Sequence, residues 1–449
     1  MHRGGTQLLS KMQLHANCTS TAQYQSGIIR SNLNVYKGAT NLMMNEVIKK
    51  RQASGQTVHH FAFGQSPFQL PECFVEALKR NAHKNEYLNV AGLPSLREAI
   101  AELHRCWDEI DVNSNQVVVA SGSKQLIYLI FSVFGGDVII PSPSWTSYKP
   151  QCLLASKCAI ELRSNFESRY WFDPCDLEQI AQRSDSSVRK LLVLNHPNNP
   201  SGLTLSSEQL KNISDICCRN NIIVISDEIY GQLTYDGSHK SMAKYYPEGT
   251  ILLSGFSKWS SGGGWRVGYA IFPEELAELR QTVISAGSNT YSTAPAPMQF
   301  AIAEALTHKQ VLSEYISRSR RILGAVAQFV HNSLSTVGCR GHLSQGGYYY
   351  MPDFSIIREP LATRGITNGA KLCDVILKEA NVALLPCGPD FVRSAEELTV
   401  RLCFVNFDGK AALDGVAGLK SGASNEQQDV FVRRYCHETV AGIELSHNS

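Results

Sequence analysis

LLVLNHPNNPSG (191–202), NIIVISDEIYG (221–231) and ILLSGFSKWSSGGGWRVG (251–268) share one plan: a short apolar run, then a cluster of polar and small residues. Unbroken apolar runs of this length suit strands covered on both faces, as in a parallel sheet lying between helices. Such a sheet builds its ligand site just past the carboxyl ends of its strands. Asn199, Asp227, Tyr230, Lys258 and Arg266 are therefore expected to converge, although three separate segments carry them.

The alternation extends outward from these segments. HHFAFGQSPF (59–68) reads as a short strand and turn, and Pro71 opens a helix, PECFVEALKRNAH. The loop YLNVAGLPS (87–95) precedes the helix LREAIAELHRCWDEI (96–110). VVVASGSKQLIYLIFSVF (117–134) gives strand, small-residue turn and helix, and DVIIPSPSWTSY (137–148) gives a strand and a proline-punctuated loop. After Ala270, helical stretches are expected at 273–285 and 298–334. The pattern then changes. CRGHLSQGGYYYMPDFSI (339–356) alternates like an antiparallel strand with one wet face, KLCDVILKEANVALLPCG (371–388) reads as helix then strand, and LTVRLCFV (398–405) as another strand.

These elements predict an α/β fold: a mostly parallel, mixed central sheet with covering helices, plus a smaller α+β domain. The expected boundaries are an arm or presequence at 1–45, a contribution to the small domain at 46–64, a large domain at 65–310, the small domain at 311–435 and a tail at 436–449. A chain of 449 residues exceeds the usual size of a single core. Its 43% hydrophobic and 18% charged residues are those of a soluble globule. A formal charge of +2 and the lack of a basic, aromatic-interleaved stripe argue against a nucleic-acid partner. No apolar run approaches a membrane span. The 13 cysteines are scattered without metal-ligand spacing, which suits a reducing, cytoplasmic compartment. Residues 1–45 contain no acid but do contain Arg3, Lys11, Arg30 and Lys37, so a mitochondrial presequence and a polar arm over a partner subunit both remain open.

The chemistry-bearing residues point to an aldehyde cofactor with a ring nitrogen and a phosphate. Lys258 lies in a turn of small residues, where withdrawal from water would free its amine as a nucleophile or base; alone it would read as a surface lysine. Asp227 ends a predicted central strand, where a buried carboxylate needs a positive partner; alone it would read as a helix cap. A protonated ring nitrogen would satisfy it and would act as an electron sink. Tyr230 and Asn199 could donate to a phenolic oxygen on that ring. SGSK (121–124) is a weak motif for a phosphate turn, with Ser123 and Lys124 as donors and Arg266 as a fork from the other side. Trp145 could cover a ring face or simply fill the core. Arg401, inside an apolar strand, could grip a substrate carboxylate or form a structural ion pair.

With these residues in place, NNPSG (198–202), SDEIY (226–230) and GFSK followed by GGGWRVG resemble the fold-type-I, pyridoxal-phosphate-dependent class I/II aminotransferase family over about residues 55–410. The resemblance implies that Lys258 bonds the cofactor aldehyde and shuttles the proton, and that Asp227 pairs with the pyridine nitrogen. It implies that Tyr230 and Asn199 donate to the ring oxygen and that Trp145 stacks on the ring. Gly122, Ser123, Lys124, Ser257 and Arg266 fall around the phosphate. Arg401 and Gly64 match the site of the substrate α-carboxylate, near Asn199 and Trp145. Tyr87 resembles the tyrosine that reaches the neighbouring subunit's cofactor, which implies a homodimer with its sites at the interface.

Two departures stand out. Relatives often carry Ser where this chain has Gly255, with Ser254 displaced by one, so the phosphate loses a hydroxyl donor or the loop shifts to recruit Ser254. GSNTYSTAPAPMQ (287–299) lacks the arginine that clamps a dicarboxylic side chain, which favours an aromatic or other neutral amino acid. Tyr148, Tyr349 and Tyr350 could line such a pocket or fill strand core. The expected reaction is ping-pong amino-group transfer from an L-amino acid to a 2-oxo acid. Elimination or cyclisation on the same cofactor is the alternative, and a non-catalytic, cofactor-binding regulator is the alternative of another class.

Overall fold

The computed structural model describes residues 28–30, 33, 38–183 and 188–448. Lys37–Ser449 make one compact unit. Most of the proposed arm or presequence lies outside the described residues. Among the described residues, no helix is long and apolar enough to cross a membrane.

β1 (His59–His60) lies well before the central sheet. That sheet holds β2 (Val117–Ala120), β3 (Asp137–Pro141), β4 (Ala159–Leu162), β5 (Lys190–Asn195), β6 (Ile223–Asp227), β7 (Thr250–Gly255) and β8 (Gly268–Ile271). The spatial order is β2-β8-β7-β6-β5-β3-β4. Neighbours from β7 through β4 run parallel, and β8 is antiparallel to both β2 and β7. The mixed, mostly parallel sheet expected from the sequence is present.

Both sheet faces are covered, which explains the unbroken apolar runs. On one face, Leu191, Val193, Ile223, Ile225, Ile251 and Leu253 pack with residues of the helices Ser123–Val133 and Tyr148–Leu154. On the other, Leu192, Leu194 and Val224 pack with Leu177 of helix Pro174–Arg183 and with Leu210, Ile213 and Ile216 of helix Ser207–Arg219. Burial of each such side chain contributes roughly 1.5–3 kcal/mol before chain entropy is subtracted.

The remaining strands are short. β9 (Tyr349–Tyr350), β11 (Leu385–Pro386) and β12 (Val400–Cys403) form an antiparallel sheet in the order β11-β12-β9, whereas β10 (Val382–Ala383) pairs in parallel with β1. The helix expected over 298–334 is two helices, Ala296–Ala305 and Lys309–Thr336. Between them the Thr307 hydroxyl donates to the Glu304 carbonyl at 2.7 Å. Such local side-chain bonding competes with the helical ladder, and the apolar periodicity on either side does not register it.

Candidate active site

Strand alternation decides what meets at the carboxyl edge of the sheet. Asn195 and Asp227 are register partners at the ends of β5 and β6, on the same face as Val193 and Ile225. The Asn195 amide nitrogen donates to the Asp227 carbonyl at 2.9 Å, and its oxygen accepts from the Asn199 backbone N–H at 2.8 Å. Three residues past β7, Lys258 reaches back toward the same edge.

These residues line a cavity of about 570 Å³, a volume suited to a small-molecule ligand. Of the residues singled out from sequence, Gly64, Ser123, Lys124, Trp145, Asn199, Asp227, Tyr230, Ser257, Lys258 and Arg266 all lie in its wall. Arg401 is buried behind Asn199, and its Nη1 donates to Asn199 Oδ1 at 3.1 Å. Gly122 stands one residue behind Ser123, against Arg266. Tyr87 is 91% exposed and is not part of this wall. A larger cavity of about 760 Å³ shares Tyr148 and Asn195 with this one but includes neither Lys258 nor Asp227.

Asp227 is 4% exposed. Its Oδ2 accepts from the Tyr148 hydroxyl at 2.6 Å, and its Oδ1 accepts from the Ile229 N–H at 3.3 Å. Burial raises its pKa from 3.8 to about 6, against the opposing pull of the Tyr148 hydrogen bond. Lys258 Nζ donates to the Gly64 carbonyl at 2.6 Å and lies 5.5 Å from the ring centres of both Tyr230 and Tyr348. Burial lowers its pKa from 10.5 to about 8, so far more free amine is present near neutrality than on an exposed lysine. Arg401 has Tyr349 4.7 Å from its guanidinium carbon, and it also donates to the Ala62 carbonyl. Its Nε has no partner among the described residues.

Lys124 and Arg266 make the opposite end of the cavity cationic. Lys124 Nζ lies 4.9 Å from the Trp145 ring centre, and its pKa is lowered by burial and then by Arg266. Arg266, at φ +55°, donates to the carbonyls of Gly263 and Ser121. Ser123 begins helix Ser123–Val133, and with Lys124 it brings the first turn of that helix to the cavity wall.

Glycines permit this approach. A Cβ on Gly268 would stand 2.3 Å from the Ser123 nitrogen, and one on Gly255 would stand 2.9 Å from Gly268 Cα. Gly255 faces Gly268 across the β7–β8 ladder. The serine expected in relatives would press on backbone here. Ser254 is not recruited in its place: alternation turns it to the opposite face, where its hydroxyl bonds Tyr269. Gly268→Ala should lower stability by about 1–3 kcal/mol and weaken anion binding at Ser123, read by thermal denaturation with and without inorganic phosphate.

Tyr148 is the main residue whose role the sequence did not show. It lines the cavity, as the sequence suggests, and in addition its hydroxyl fixes Asp227. Three residues from Trp145 in PSPSWTSY, it was visible as a neighbour, but the hydrogen bond requires β3 and β6 to be placed in one sheet. Tyr349 also lines the cavity, its hydroxyl 2.8 Å from that of Tyr230. Tyr350 is core and bonds His331 instead. Asn41 and Leu42, from helix Thr40–Ala53, complete one side of the wall with no sequence signal.

Residues 56–409 match the aminotransferase class I and II family. A probable aspartate/prephenate aminotransferase of Aquifex aeolicus is 30% identical over 386 residues, covering 83% of this chain and 94% of that protein. The structure of an aspartate aminotransferase from Thermus thermophilus with maleate superposes with a TM-score of 0.76 at 25% identity, covering 90% of this chain and 98% of the other. An aromatic aminotransferase from Pyrococcus horikoshii gives a TM-score of 0.71 at 25% identity, with 86% and 99% covered. The chain belongs to the aminotransferase class I and II family. It is a pyridoxal 5'-phosphate-dependent aminotransferase acting on amino and 2-oxo acids.

Proposed function

We propose that this chain moves the amino group of an L-amino acid with a neutral side chain to a 2-oxo acid, with Lys258 as the cofactor-bonding and proton-moving residue. The observation that carries this reading is the placement of Lys258 and Asp227, a depressed amine and an elevated acid, in the wall of one cavity. Groups whose environments push their pKa values toward neutrality in opposite senses suit acid–base work.

The residues present fit the cofactor. Asp227 is a buried carboxylate lacking a strong cationic partner, and a protonated pyridine nitrogen would supply one. Ser123, Lys124, Ser257 and Arg266, with the helix N-terminus after Gly122, would hold the phosphate. Tyr230 and Asn199 would donate to the ring oxygen, and Trp145 would cover one ring face. When bound, pyridoxal 5'-phosphate supplies an aldehyde for amino-group exchange and an electron sink for the substrate carbon.

Arg401 would bind the substrate α-carboxylate, with its free Nε and the Gly64 backbone nearby. This grip would present the α-hydrogen to Lys258 Nζ, which would take up and give back the proton there. Tyr148 would keep the Asp227 carboxylate oriented. Charge accounting supports a neutral side chain: among the described residues of this chain, Lys124, Lys258 and Arg266 are the lysines and arginines of the cavity wall, and each already has a role.

A panel of amino donors against two or three oxo acids tests the reading, followed by product identification. Neutral and aromatic donors should exceed aspartate in kcat/KM; aspartate ahead by tenfold or more would defeat the preference. We also propose a homodimer in which the exposed Tyr87 serves the partner's cofactor. Sedimentation showing a monomer at assay concentration would rule that out.

A further inference from the structure

Strand alternation that aims Asn195 and Asp227 at the active cavity sends His196, Ser226 and Glu228 to the other face of the sheet. There the chain buries ionisable groups that amino-group transfer does not use. Glu228 Oε1 accepts from Ser226 Oγ at 2.7 Å, Ser241 Oγ at 3.0 Å and the Met242 N–H at 3.1 Å. Its Oε2 accepts from His239 Nε2 at 2.9 Å. Beside this set, His104 bridges Asp108 at 2.5 Å and the Tyr269 hydroxyl at 2.8 Å.

Between the two sets lies a cavity of about 10 Å³, walled by Asp108, Glu228, His239, Ser254, Trp259 and Tyr269 among others. Two buried nitrogens of this wall, Trp259 Nε1 and His239 Nδ1, have no partner among the described residues. An indole N–H can only donate, and a buried donor left unpaired costs about 1–3 kcal/mol. A space of this size accommodates one water, and it is polar enough to supply the roughly three hydrogen bonds a buried water makes. A metal ion does not suit the indole N–H, and no group of three or more ligating side chains is placed to hold one among the described residues.

We infer that one internal water in this cavity accepts from Trp259 Nε1, pairs with His239 Nδ1 and donates to the Asp108 or Glu228 carboxylate, making Trp259 and His239 positioning residues for Lys258. The water ties together three segments: the Lys258–Trp259 turn, the loop carrying His239, and either the end of helix Pro94–Trp107 or the Glu228 end of β6. It thereby fixes the height of Lys258 relative to Asp227. The charges facing His239 agree with this assignment. Burial lowers its pKa, but the Glu228 hydrogen bond and charge, with Asp108, outweigh burial and the opposing Arg320, and the net shift is upward. In either protonation state His239 Nε2 faces Glu228, which leaves Nδ1 for the water.

The consequence at Lys258 rests on the aminotransferase reading, and the experiment separates the two. A high-resolution crystal structure of the holoenzyme should show a water about 3 Å from both nitrogens. Trp259→Phe removes the donor and keeps most of the volume, and His239→Gln keeps a donor near Glu228 but removes the group at Nδ1. Both variants should lose the water. Both should raise the midpoint of the pH titration of the Lys258–cofactor absorbance by about half a unit, because a looser turn admits solvent to the cation. A holoenzyme structure without that water, or variants titrating like the parent, overturns the inference. Wild-type protein that forms no absorbing linkage at all overturns instead the assignment of Lys258.

Discussion

Replacing Lys258 by Ala should leave a folded protein that binds pyridoxal 5'-phosphate without a covalent bond and transfers amino groups at least about 10²–10⁴-fold more slowly. That range is what one positioned proton-transfer group supplies, before its bonding role is counted. Mass spectrometry after borohydride reduction reads the linkage, and a coupled assay reads the rate; undiminished transfer would remove Lys258 from the mechanism. The cofactor-free parent carries a second signature. Because the folded pKa of Lys258 is depressed to about 8 from 10.5, the unfolded chain binds more protons between those values. Stability contributed by this group therefore rises with pH through that window, and the alanine variant should lose the rise.

Asp227→Asn should also lower transfer about a thousandfold or more, yet it should stabilise the cofactor-free protein at pH 7. The amide keeps the shape and an acceptor for the Tyr148 hydroxyl but cannot hold a pyridine nitrogen protonated. In the parent, burial raises the Asp227 pKa to about 6, so the folded state binds more protons than the unfolded chain between about 4 and 6. Stability from this group falls as pH rises through that window, by roughly 3 kcal/mol in total. Denaturant titrations of both apo-proteins at pH 4.5 and 7 check this: the variant's advantage should appear at pH 7 and shrink at pH 4.5. An advantage that does not depend on pH would refute the elevated carboxyl. Cofactor binding should erase it, since the parent then gains a partner for the charge.

Much of this was legible in the chain because it is local. Apolar runs ending in polar residues gave the strand ends, and therefore the convergence of Asn199, Asp227, Lys258 and Arg266. Period-two alternation carries a further fact: one position along β7 changes the face, so Ser254 cannot substitute for a serine at Gly255. Three features were not legible. The Tyr148–Asp227 bond depends on which strands become neighbours. Asn41 and Leu42 reach the cavity from a helix with no apolar stripe. The cluster around Glu228 and His104 is built from residues that each look like an ordinary surface acid or histidine until the sheet and two helices close over them.

The pairing of β1 with β10, and the reach of Arg401 to the Ala62 carbonyl 339 positions away, bring segments far apart in sequence together beside the site. During synthesis that junction waits until the segment carrying β10 and Arg401 has emerged, long after Asp227. Contacts of such sequence separation make the last stage of folding a slow, long-range closure. The Arg401 side of the site is therefore completed last.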